Sequence, residues 1–290
     1  MKKILCGLLI LFSSTSFAAH LATNVAELVA KCSCEKCDLV HAKLTGFVLG
    51  QQPAEKQQHD YLAECSLAQA DLSFVNLDYA KFIGAGRTYA LNISLKGAKL
   101  HNARLKYSEF YRVDATHADF SRANLAKASL VNSDFSQANF SRANLKYVTT
   151  LYKPLNLGSK MLNANFQFAN LSNAELDATL DGANFNHANL TNASLDPAII
   201  EIQGSTTTGF ADMDFSYANL SHAKLYETTN AMTPFAKTNF SHANLKDGKF
   251  FVGHRFGETK PASLEGAIFC HTIMPDGKVN NRDCKTSSKT

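Results

Sequence analysis

The sequence predicts an all-β solenoid built from four-sided coils of very short strands. Two periodicities carry this prediction: a small–polar–Leu/Phe pattern recurs every five residues, and longer segments recur every twenty. The composition agrees, because a 290-residue chain that is 45% hydrophobic and 19% charged buries a large core and is too apolar to be disordered. With 29 Lys and Arg against 25 Asp and Glu, neither a strongly basic nucleic-acid binder nor a strongly acidic nucleic-acid mimic is indicated.

Residues 1–18 are typical of a secretory signal peptide. Two lysines precede a nine-residue apolar run, and Ser16-Phe17-Ala18 has the small-x-small form of a cleavage site. A membrane anchor is the alternative, but it needs about 20 apolar residues, and the polar residues 13–16 interrupt this run. We therefore expect an exported protein, periplasmic or extracellular, with no stable membrane insertion after the signal is removed.

The five-residue pattern is clearest between residues 118 and 145. It reads Ala118-Asp119-Phe120, Ala123-Asn124-Leu125 and Ala128-Ser129-Leu130, and it continues through Ala143-Asn144-Leu145. A spacing of five fits neither the helical period of 3.6 nor the unbroken alternation of a flat strand, so the chain must turn regularly. Within each unit we expect the small residue and the Leu or Phe to point inward and the polar residue between them to point outward.

The longer period predicts how the units stack. Ser121–Leu125 recurs twenty residues later as Ser141–Leu145, and Phe215 recurs as Phe235. Twenty residues make one coil of four sides, and coils stack through parallel backbone hydrogen bonds with equivalent side chains above one another. By this register His222 should stack on His242. Three stretches depart from the pattern and are expected to be loops that could carry specificity: 50–60, 83–94 and 196–212.

These units resemble those of the pentapeptide-repeat family, whose consensus A-(D/N)-L-x-x is met at Ala123-Asn124-Leu125-Ala126-Lys127 and at Ala188-Asn189-Leu190-Thr191-Asn192. The resemblance covers residues 37–269 and implies a right-handed, four-sided parallel β-helix of about ten coils. Open strand edges at the ends of a solenoid need covers. We expect residues 19–36 to form an N-terminal cap with a short helix that begins at the N-cap Asn24. We expect residues 270–290 to close the C-terminal end, since Cys270–Gly277 resembles a closing segment found in many family members.

Removal of the signal peptide also removes Cys6 and leaves six cysteines near the two ends of the chain, an even number that fits disulfides in an oxidising compartment. These disulfide candidates are Cys32, Cys34, Cys37, Cys65, Cys270 and Cys284. If the insertion at 50–60 adds to a single corner, Cys37 and Cys65 lie on consecutive coils within disulfide reach. We expect Cys37–Cys65 and Cys270–Cys284, with Cys32 and Cys34 left open. The alternative is a redox or metal role for the N-terminal cysteine cluster.

Polar residues at the predicted corners offer two further candidate sites. Five histidines fall two residues after a core position: His41, His117, His187, His222 and His242. No carboxylate or cysteine recurs beside the His222/His242 pair, so we expect no metal site. Arg122 and Arg142 should stack, and with Arg104 and Lys127 they offer a basic strip for an anionic partner. We favour the other interpretation, solvated charge, because Asp119, Asp134 and Glu109 lie close in sequence. Asn170 and Asn239 match the glycosylation sequon, which the repeat itself generates.

The sequence offers no catalytic centre. It lacks H-E-x-x-H, a phosphate-binding Gly-rich loop and G-x-S-x-G, and no nucleophile or base departs from the repeat. We expect a non-enzymatic exported scaffold without a metal or cofactor that binds another protein and no nucleic acid. The resemblance implies an alternative, since well-known family members imitate duplex DNA and bind type II topoisomerases. The export signal and a formal charge that falls from +4 to +2 with the two signal lysines disfavour it. The partner and the oligomeric state remain open.

Overall fold

The computed structural model describes residues 21, 23–24, 34–44, 48–49, 65–83, 93–150, 158–196, 210, 212–227, 235–253 and 258–284. These residues form a rod of stacked four-sided coils, which confirms the predicted parallel β-helix. Its strands are very short because the chain turns after every few residues. They are β1 (Val48–Leu49), β2 (Cys65–Ser66), β3 (Lys81–Ile83), β4 (Ile93–Ser94), β5 (Glu109–Tyr111), β6 (Val113–Asp114), β7 (Ser129–Val131), β8 (Ser159–Lys160), β9 (Glu175–Thr179), β10 (Ser194–Asp196), β11 (Lys224–Glu227), β12 (Lys249–Val252), β13 (Lys260–Pro261), β14 (Thr272–Ile273) and β15 (Val279–Asn280).

The sides of successive coils stack into four columns of parallel backbone pairs. Column 1 consists of single-residue bridges from Asp38 to Ile268, and column 2 of similar bridges from Lys43 to Ile273. Column 3 contains β1, β3, β5 and β7, continues through Thr149, and then contains β9 to β12. Column 4 contains β2, β4, β6, β8 and the end of β9. Ten residues pair in succession along column 1, which matches the expected number of coils.

The interior of the rod is filled by the Leu, Phe and Ala of the repeat. Ala123 and Leu125 are at most 1% exposed, whereas Asn124 between them is only half-buried, as the alternation predicted. Phenylalanines on column 1 form a continuous stack, with neighbouring ring centroids 4.7 to 5.9 Å apart. The stack comprises Phe120, Phe140, Phe166, Phe185, Phe215, Phe240 and Phe269. Burial of these rings, together with the Leu and Ala side chains, drives the stacking of the coils.

A left-handed backbone conformation forms most of the described corners. Among the residues that the structure describes, twenty-seven non-glycine residues have φ between 48° and 61°, almost all of them two residues after an inward Leu or Phe, and none of these is Val, Ile or Thr. β-Branched side chains are the least compatible with this conformation. Most of these corner residues also donate their N–H to the next coil; for example, the His117 amide lies 3.1 Å from the Ser136 carbonyl. The corners therefore both turn the chain and join the coils.

The outward Asp and Asn residues hold the corners through their side chains. The Oδ1 atom of Asn139 accepts the N–H of Ser141, two residues later, at 3.1 Å. Its Nδ2 group donates to Oδ1 of Asp119 on the preceding coil at 3.1 Å. The same two bonds recur along columns 1 and 2. This dual role explains why the middle position of the repeat is so often Asp or Asn.

Coil length departs from the predicted twenty residues. Asp38 pairs with Asp71, 33 residues later, and Asn165 pairs with Asn184, 19 residues later. The stacking predicted for Phe215 on Phe235 is therefore wrong: Phe235 stacks on Phe210 and lies on column 4. The prediction that His222 stacks on His242 is wrong for the same reason. An extra five residues in one coil keep the five-residue frame but move every later residue to another column.

The ends of the rod differ from its body. Asn24 is itself helical, as are Leu21 and Thr23, so it does not occupy the N-cap position predicted for it. Its side-chain amide instead donates to the Asp38 carbonyl at 2.7 Å, and the predicted helix residues 25–31 lie outside the described residues. At the other end, β13 pairs antiparallel with β12, and β14 and β15 form an antiparallel hairpin. Within the described residues, no helix has the length and apolarity needed to cross a membrane.

Phe166 and Phe168 give a matched test of the inward stack. Phe166 is fully buried, whereas Phe168, two residues later, is 47% exposed at a corner. We expect Phe166→Ala to lower the free energy of unfolding by about 3–5 kcal/mol, because it leaves a cavity inside the stack. Phe168→Ala should cost no more than about 1 kcal/mol. Chemical denaturation monitored by circular dichroism measures both values, and equal losses would contradict the assignment of inward and outward positions.

His117 tests the left-handed corners. It is exposed and has φ of 59°, and its side chain contributes nothing to the core. We expect His117→Val to lower the free energy of unfolding by about 1–2 kcal/mol, because a β-branched residue opposes this conformation. His117→Gly is the control and should change stability by less than about 1 kcal/mol. If Val proves as stable as Gly in thermal and chemical unfolding, corner conformation does not limit residue choice here.

Candidate interaction surface

All departures from a twenty-residue coil fall on one connection of the rod. The steps from column 1 to 2, from 2 to 3, and from 4 to 1 are five residues wherever both ends are described, as from Asn139 to Asn144 and Thr149. The step from column 3 to column 4 varies instead. Its extra residues follow Leu49, Ile83, Thr150, Asp196, Glu227 and Gly253. The three stretches predicted to be loops belong to this connection and lie mostly outside the described residues.

Columns 1 and 2 are free of insertions wherever the structure describes them. We call column 2, together with the corner between columns 1 and 2 (corner 1–2) and the corner between columns 2 and 3 (corner 2–3), the smooth side. Corner 1–2 carries one residue from each coil. These are His41, Phe74, Asn102, Arg122, Arg142, Phe168, His187, Tyr217, His242 and His271. Nothing in the described chain projects over this side from an insertion.

Exposed rings stack along corner 1–2. Phe168, His187, Tyr217 and His242 form a parallel stack with centroids 4.4 to 4.6 Å apart and ring planes within 10° of one another. The Arg142 guanidinium lies 4.9 Å from the Phe168 ring centre and extends the stack toward the N-terminus. Phe168 and Tyr217 are 47% and 49% exposed. The ladder therefore presents ring edges and polar ring atoms to solvent, since the ring faces cover one another.

Corner 2–3 carries a second ladder, with tyrosines at its N-terminal end. The rings of Tyr79 and Tyr107 stack with centroids 4.8 Å apart. The Lys127 ammonium lies 3.2 Å from the Tyr107 hydroxyl, 5.2 Å from the Tyr107 ring centre and 6.0 Å from that of Tyr147. Cation–π contacts of this kind are individually weak at exposed sites but fix side-chain positions. The ladder continues through Asn173, Asn192, His222 and Asp247.

The predicted basic strip is distributed across the smooth side. Arg122 and Arg142 are neighbours on corner 1–2, Arg104 lies on column 2, and Lys127 lies on corner 2–3. Arg104 is already paired, since its guanidinium donates to Oδ2 of Asp78 at 2.6 and 3.1 Å. The sequence interpretation did not identify Asp78 as the partner of Arg104, because the two residues are 26 positions apart in sequence although they lie on adjacent coils.

The three acids expected to neutralise the strip point to other columns. Asp119 lies on column 1, Asp134 on column 4, and Glu109 on column 3, where it pairs with Lys81 at 2.8 Å. Sequence proximity is therefore a poor guide to charge balance in this fold, because five residues along the chain lead to a different side of the rod. The sequence interpretation also missed Lys106 and Lys146, which follow core residues of column 2. Counting along the uninterrupted five-residue steps would have placed both on the smooth side.

The pKa of Asp71, which lies on column 1 beside corner 1–2, is lowered. Burial tends to raise the pKa of Asp71, but hydrogen bonds from the Ser73 hydroxyl and amide and the nearby Lys99 ammonium outweigh burial and lower it. The Lys99 Nζ atom lies 3.4 Å from Oδ2 of Asp71. The folded state thus favours the charged carboxylate, and the corresponding stabilisation is lost as pH falls through the lowered pKa. Above the ordinary carboxyl pKa, the surface keeps this pair intact.

The five predicted corner histidines do lie at corners, and all are exposed. His222 approaches Asp247 at 3.8 Å on corner 2–3, whereas His242 stacks on Tyr217 on corner 1–2. In the described part of the chain, one group of possible metal ligands comes together, namely Cys270, His271 and Cys284, with ligand atoms within 4.8 Å. The two sulfurs of this group are bonded to each other and so are not free to bind a metal.

The structure contains two disulfides among the described cysteines. Cys270 is bonded to Cys284, with Cα atoms 4.6 Å apart, and this bond encloses the β14–β15 hairpin. Cys37 is bonded to Cys34, with Cα atoms 5.5 Å apart, and not to Cys65 as the sequence interpretation expected. The register explains the difference. Because Asp38 pairs with Asp71, the position equivalent to Cys37 on the next coil is Ala70 and not Cys65. Cys32 lies outside the described residues.

The fold and the site define a class: a solenoid of five-residue repeats whose exposed ladders form continuous surfaces. The family model described as pentapeptide repeats matches eight copies in this chain, over residues 61–85, 93–130, 118–149 and 159–198. These segments carry the repeats of that family, whose members fold as right-handed quadrilateral β-helices, so the expected handedness and fold are confirmed. A search of curated proteins found no significant match.

Three solved structures of repeat proteins illustrate the likeness. HetL, a pentapeptide repeat protein involved in heterocyst differentiation regulation from the cyanobacterium Nostoc sp. strain PCC 7120, is 19% identical; the alignment covers 88% of this chain and 97% of HetL, with a TM-score of 0.37. QnrB1, a plasmid-mediated fluoroquinolone resistance protein, is 15% identical over 81% of this chain and 90% of its own, with a TM-score of 0.31. A pentapeptide repeat protein from the Arabidopsis thaliana thylakoid lumen is 19% identical. The alignment covers 49% of this chain and 80% of the Arabidopsis protein, with a TM-score of 0.21.

Peptide mapping without reduction tests the disulfides. We expect linked peptides that contain Cys270–Cys284 and Cys34–Cys37, because both pairs are at bonding distance. The register in which Asp38 pairs with Asp71 places Cys37 opposite Ala70, so we expect no peptide that links Cys37 to Cys65. Recovery of a Cys37–Cys65 peptide would contradict this register. Reduced and alkylated protein serves as the control.

Proposed function

We propose that this protein is an exported, non-enzymatic scaffold that binds another protein along its smooth side. One observation carries the proposal: every change in coil length falls on the connection from column 3 to column 4, and ten coils of column 2 stay free of insertions. At about 4.8 Å per coil, this side offers a continuous surface about 45 Å long. Solenoids commonly use such surfaces for binding.

The residues of the smooth side fit a protein partner. Tyr79, Tyr107, Tyr147 and Tyr217 are all at least 40% exposed, and tyrosine and arginine are the residues most enriched in the centres of protein interfaces. The rings are held by stacking and the Asn ladders are hydrogen-bonded between coils. Binding to such a rigid surface costs little conformational entropy, which favours affinity.

Several observations support a role without catalysis. The interior between the columns is filled by Ala, Leu and Phe, as the buried Phe stack shows. In the portion of the chain that the structure describes, the one group of clustered metal-binding residue types includes the bonded pair Cys270 and Cys284. Cys34 is 4% exposed and bonded to Cys37, which favours a structural over a redox role for the N-terminal cluster.

Export is supported by the sequence and by the cysteine chemistry. The segment 1–18 has the three parts of a secretory signal, and disulfides are typical of oxidising compartments. Imitation of DNA, the alternative that the family resemblance raised, would require rows of acidic side chains along the rod. Corner 1–2 instead carries Arg122, Arg142 and four histidines, so this alternative finds no support on the smooth side.

Site-specific photo-cross-linking tests the proposal. Asn192 on corner 2–3 and Asn163 on the corner between columns 4 and 1 are matched sites, since both are exposed asparagines with φ near 55° to 58°. We expect a photoreactive residue at position 192 to trap one defined protein in the extracytoplasmic fraction, and the same residue at position 163 to trap none. Mass spectrometry identifies the product. A product from position 163 alone would overturn the assignment of the binding side.

A further inference from the structure

A basic patch lies on the smooth side in the third to fifth coils. It is formed by the residues of column 2 and its two corners that carry positive charge, namely Arg104, Lys106, Arg122, Lys127, Arg142 and Lys146. We infer that this patch is the docking site for an acidic segment of the partner polypeptide. The inference rests on the proposed function and specifies the chemistry of the partner that the smooth side takes.

Coil stacking concentrates the six charges. Arg122 donates its amide to the Ser141 carbonyl beside Arg142 at 2.9 Å, and Lys127 donates to the carbonyl of Lys146 at 2.9 Å. Arg104 pairs through its backbone with Asn124 on the next coil. Since neighbouring coils are about 4.8 Å apart, all six cations lie on three rungs that span about 10 Å along the rod. The chain as a whole has a formal charge of only +4, so this density is local.

The patch is not neutralised by its own surface. Among the described residues of column 2 and its corners in these three coils, none is an acid. Asp78 on the preceding coil pairs with Arg104, and its side chain is only 8% exposed, so it neutralises one of the six charges. The remaining cations face solvent, apart from the half-buried Lys146. Such a surface attracts an anionic partner and disfavours a basic one.

The aromatic contacts favour a polypeptide over a single-stranded nucleic acid. Nucleic-acid platforms of this kind need free ring faces on which bases stack. Here Tyr79 and Tyr107 cover each other with planes within 4°, and the Lys127 and Lys146 ammonium groups lie 6.0 and 5.0 Å from the Tyr147 ring centre. Protein atoms thus contact these ring faces, while the exposed Arg122, Lys127 and Arg142 side chains can bind carboxylates.

Binding of a defined acidic probe tests the inference. We would measure fluorescence anisotropy of the purified mature protein with labelled poly-L-glutamate of about 20 residues, with poly-L-glutamine of the same length as the uncharged control and a thymidine oligonucleotide of the same length as the phosphate control. We expect saturable binding of poly-L-glutamate that weakens as salt is raised, and none of poly-L-glutamine. Absence of poly-L-glutamate binding, or tighter binding of the oligonucleotide, would overturn the assignment.

Two variants with equal losses of charge locate the site. The first replaces four of the five patch cations that flank column 2, using asparagine where φ is positive because asparagine already occupies equivalent corners: Arg122→Asn, Lys127→Asn, Arg142→Asn and Lys146→Gln. The matched control removes four exposed lysines of columns 3 and 4: Lys96→Gln, Lys224→Gln, Lys249→Gln and Lys260→Gln. We expect the first to weaken poly-L-glutamate binding about tenfold or more, and the control less than about twofold. Equal losses would show that net charge, and not this patch, controls binding.

The two proposals fail in different ways. If position 192 traps a partner but poly-L-glutamate does not bind, the smooth side is an interface whose partner is not acidic, and this inference is wrong. If poly-L-glutamate binds through the patch but only position 163 traps a partner, the patch does bind acidic peptides, but the partner binds another side of the rod and the proposed function is wrong. Thermal unfolding of both charge variants confirms that the substitutions leave the rod folded.

Discussion

Most described turns of the rod depend on a left-handed backbone conformation two residues after an inward Leu or Phe. This corner fixes the length of a side at five residues, so that the following Asp or Asn again lies on a straight segment with its carboxylate or amide outward. Coils built this way superpose, and superposition creates both the amide ladders and the Phe stack. The exposed ladders follow from the same constraint, because the corner residue has no room to point inward.

The local structure could be predicted from the sequence, whereas the register between coils could not. The alternation of Ala123, Asn124 and Leu125 is determined by neighbouring residues, and the structure has it as predicted. Stacking is determined by residues 19 to 33 positions apart, and insertions of five or ten residues leave the pattern unchanged while they rotate all later residues by one or two sides. For this reason Phe235 and His242 were assigned to the wrong columns, and Cys37 to the wrong partner.

Only part of the candidate surface could be predicted from the sequence, because the register between coils also determines which charges are neighbours. Arg122 and Arg142 lie in two coils of twenty residues, so their stacking was correctly expected. The acids expected to neutralise the strip are near in sequence but lie on other sides of the rod. The acid that does pair with a cation of the strip is Asp78, and its partner Arg104 is 26 residues away in sequence. On a solenoid, the charges that pair with each other lie on adjacent coils. Such residues are about twenty or more positions apart in the sequence, so sequence proximity does not identify them.

The C-terminal end reverses the direction of the chain. β13 runs antiparallel to β12, and β15 runs antiparallel to β14, so two of the four columns end in strands of opposite polarity to the body of the rod. A second molecule that added there as another parallel coil would meet mismatched hydrogen-bond spacing on these sides. The reversal therefore opposes end-to-end association of molecules into a filament. The protein can expose long flat sides without polymerising through its C-terminal end.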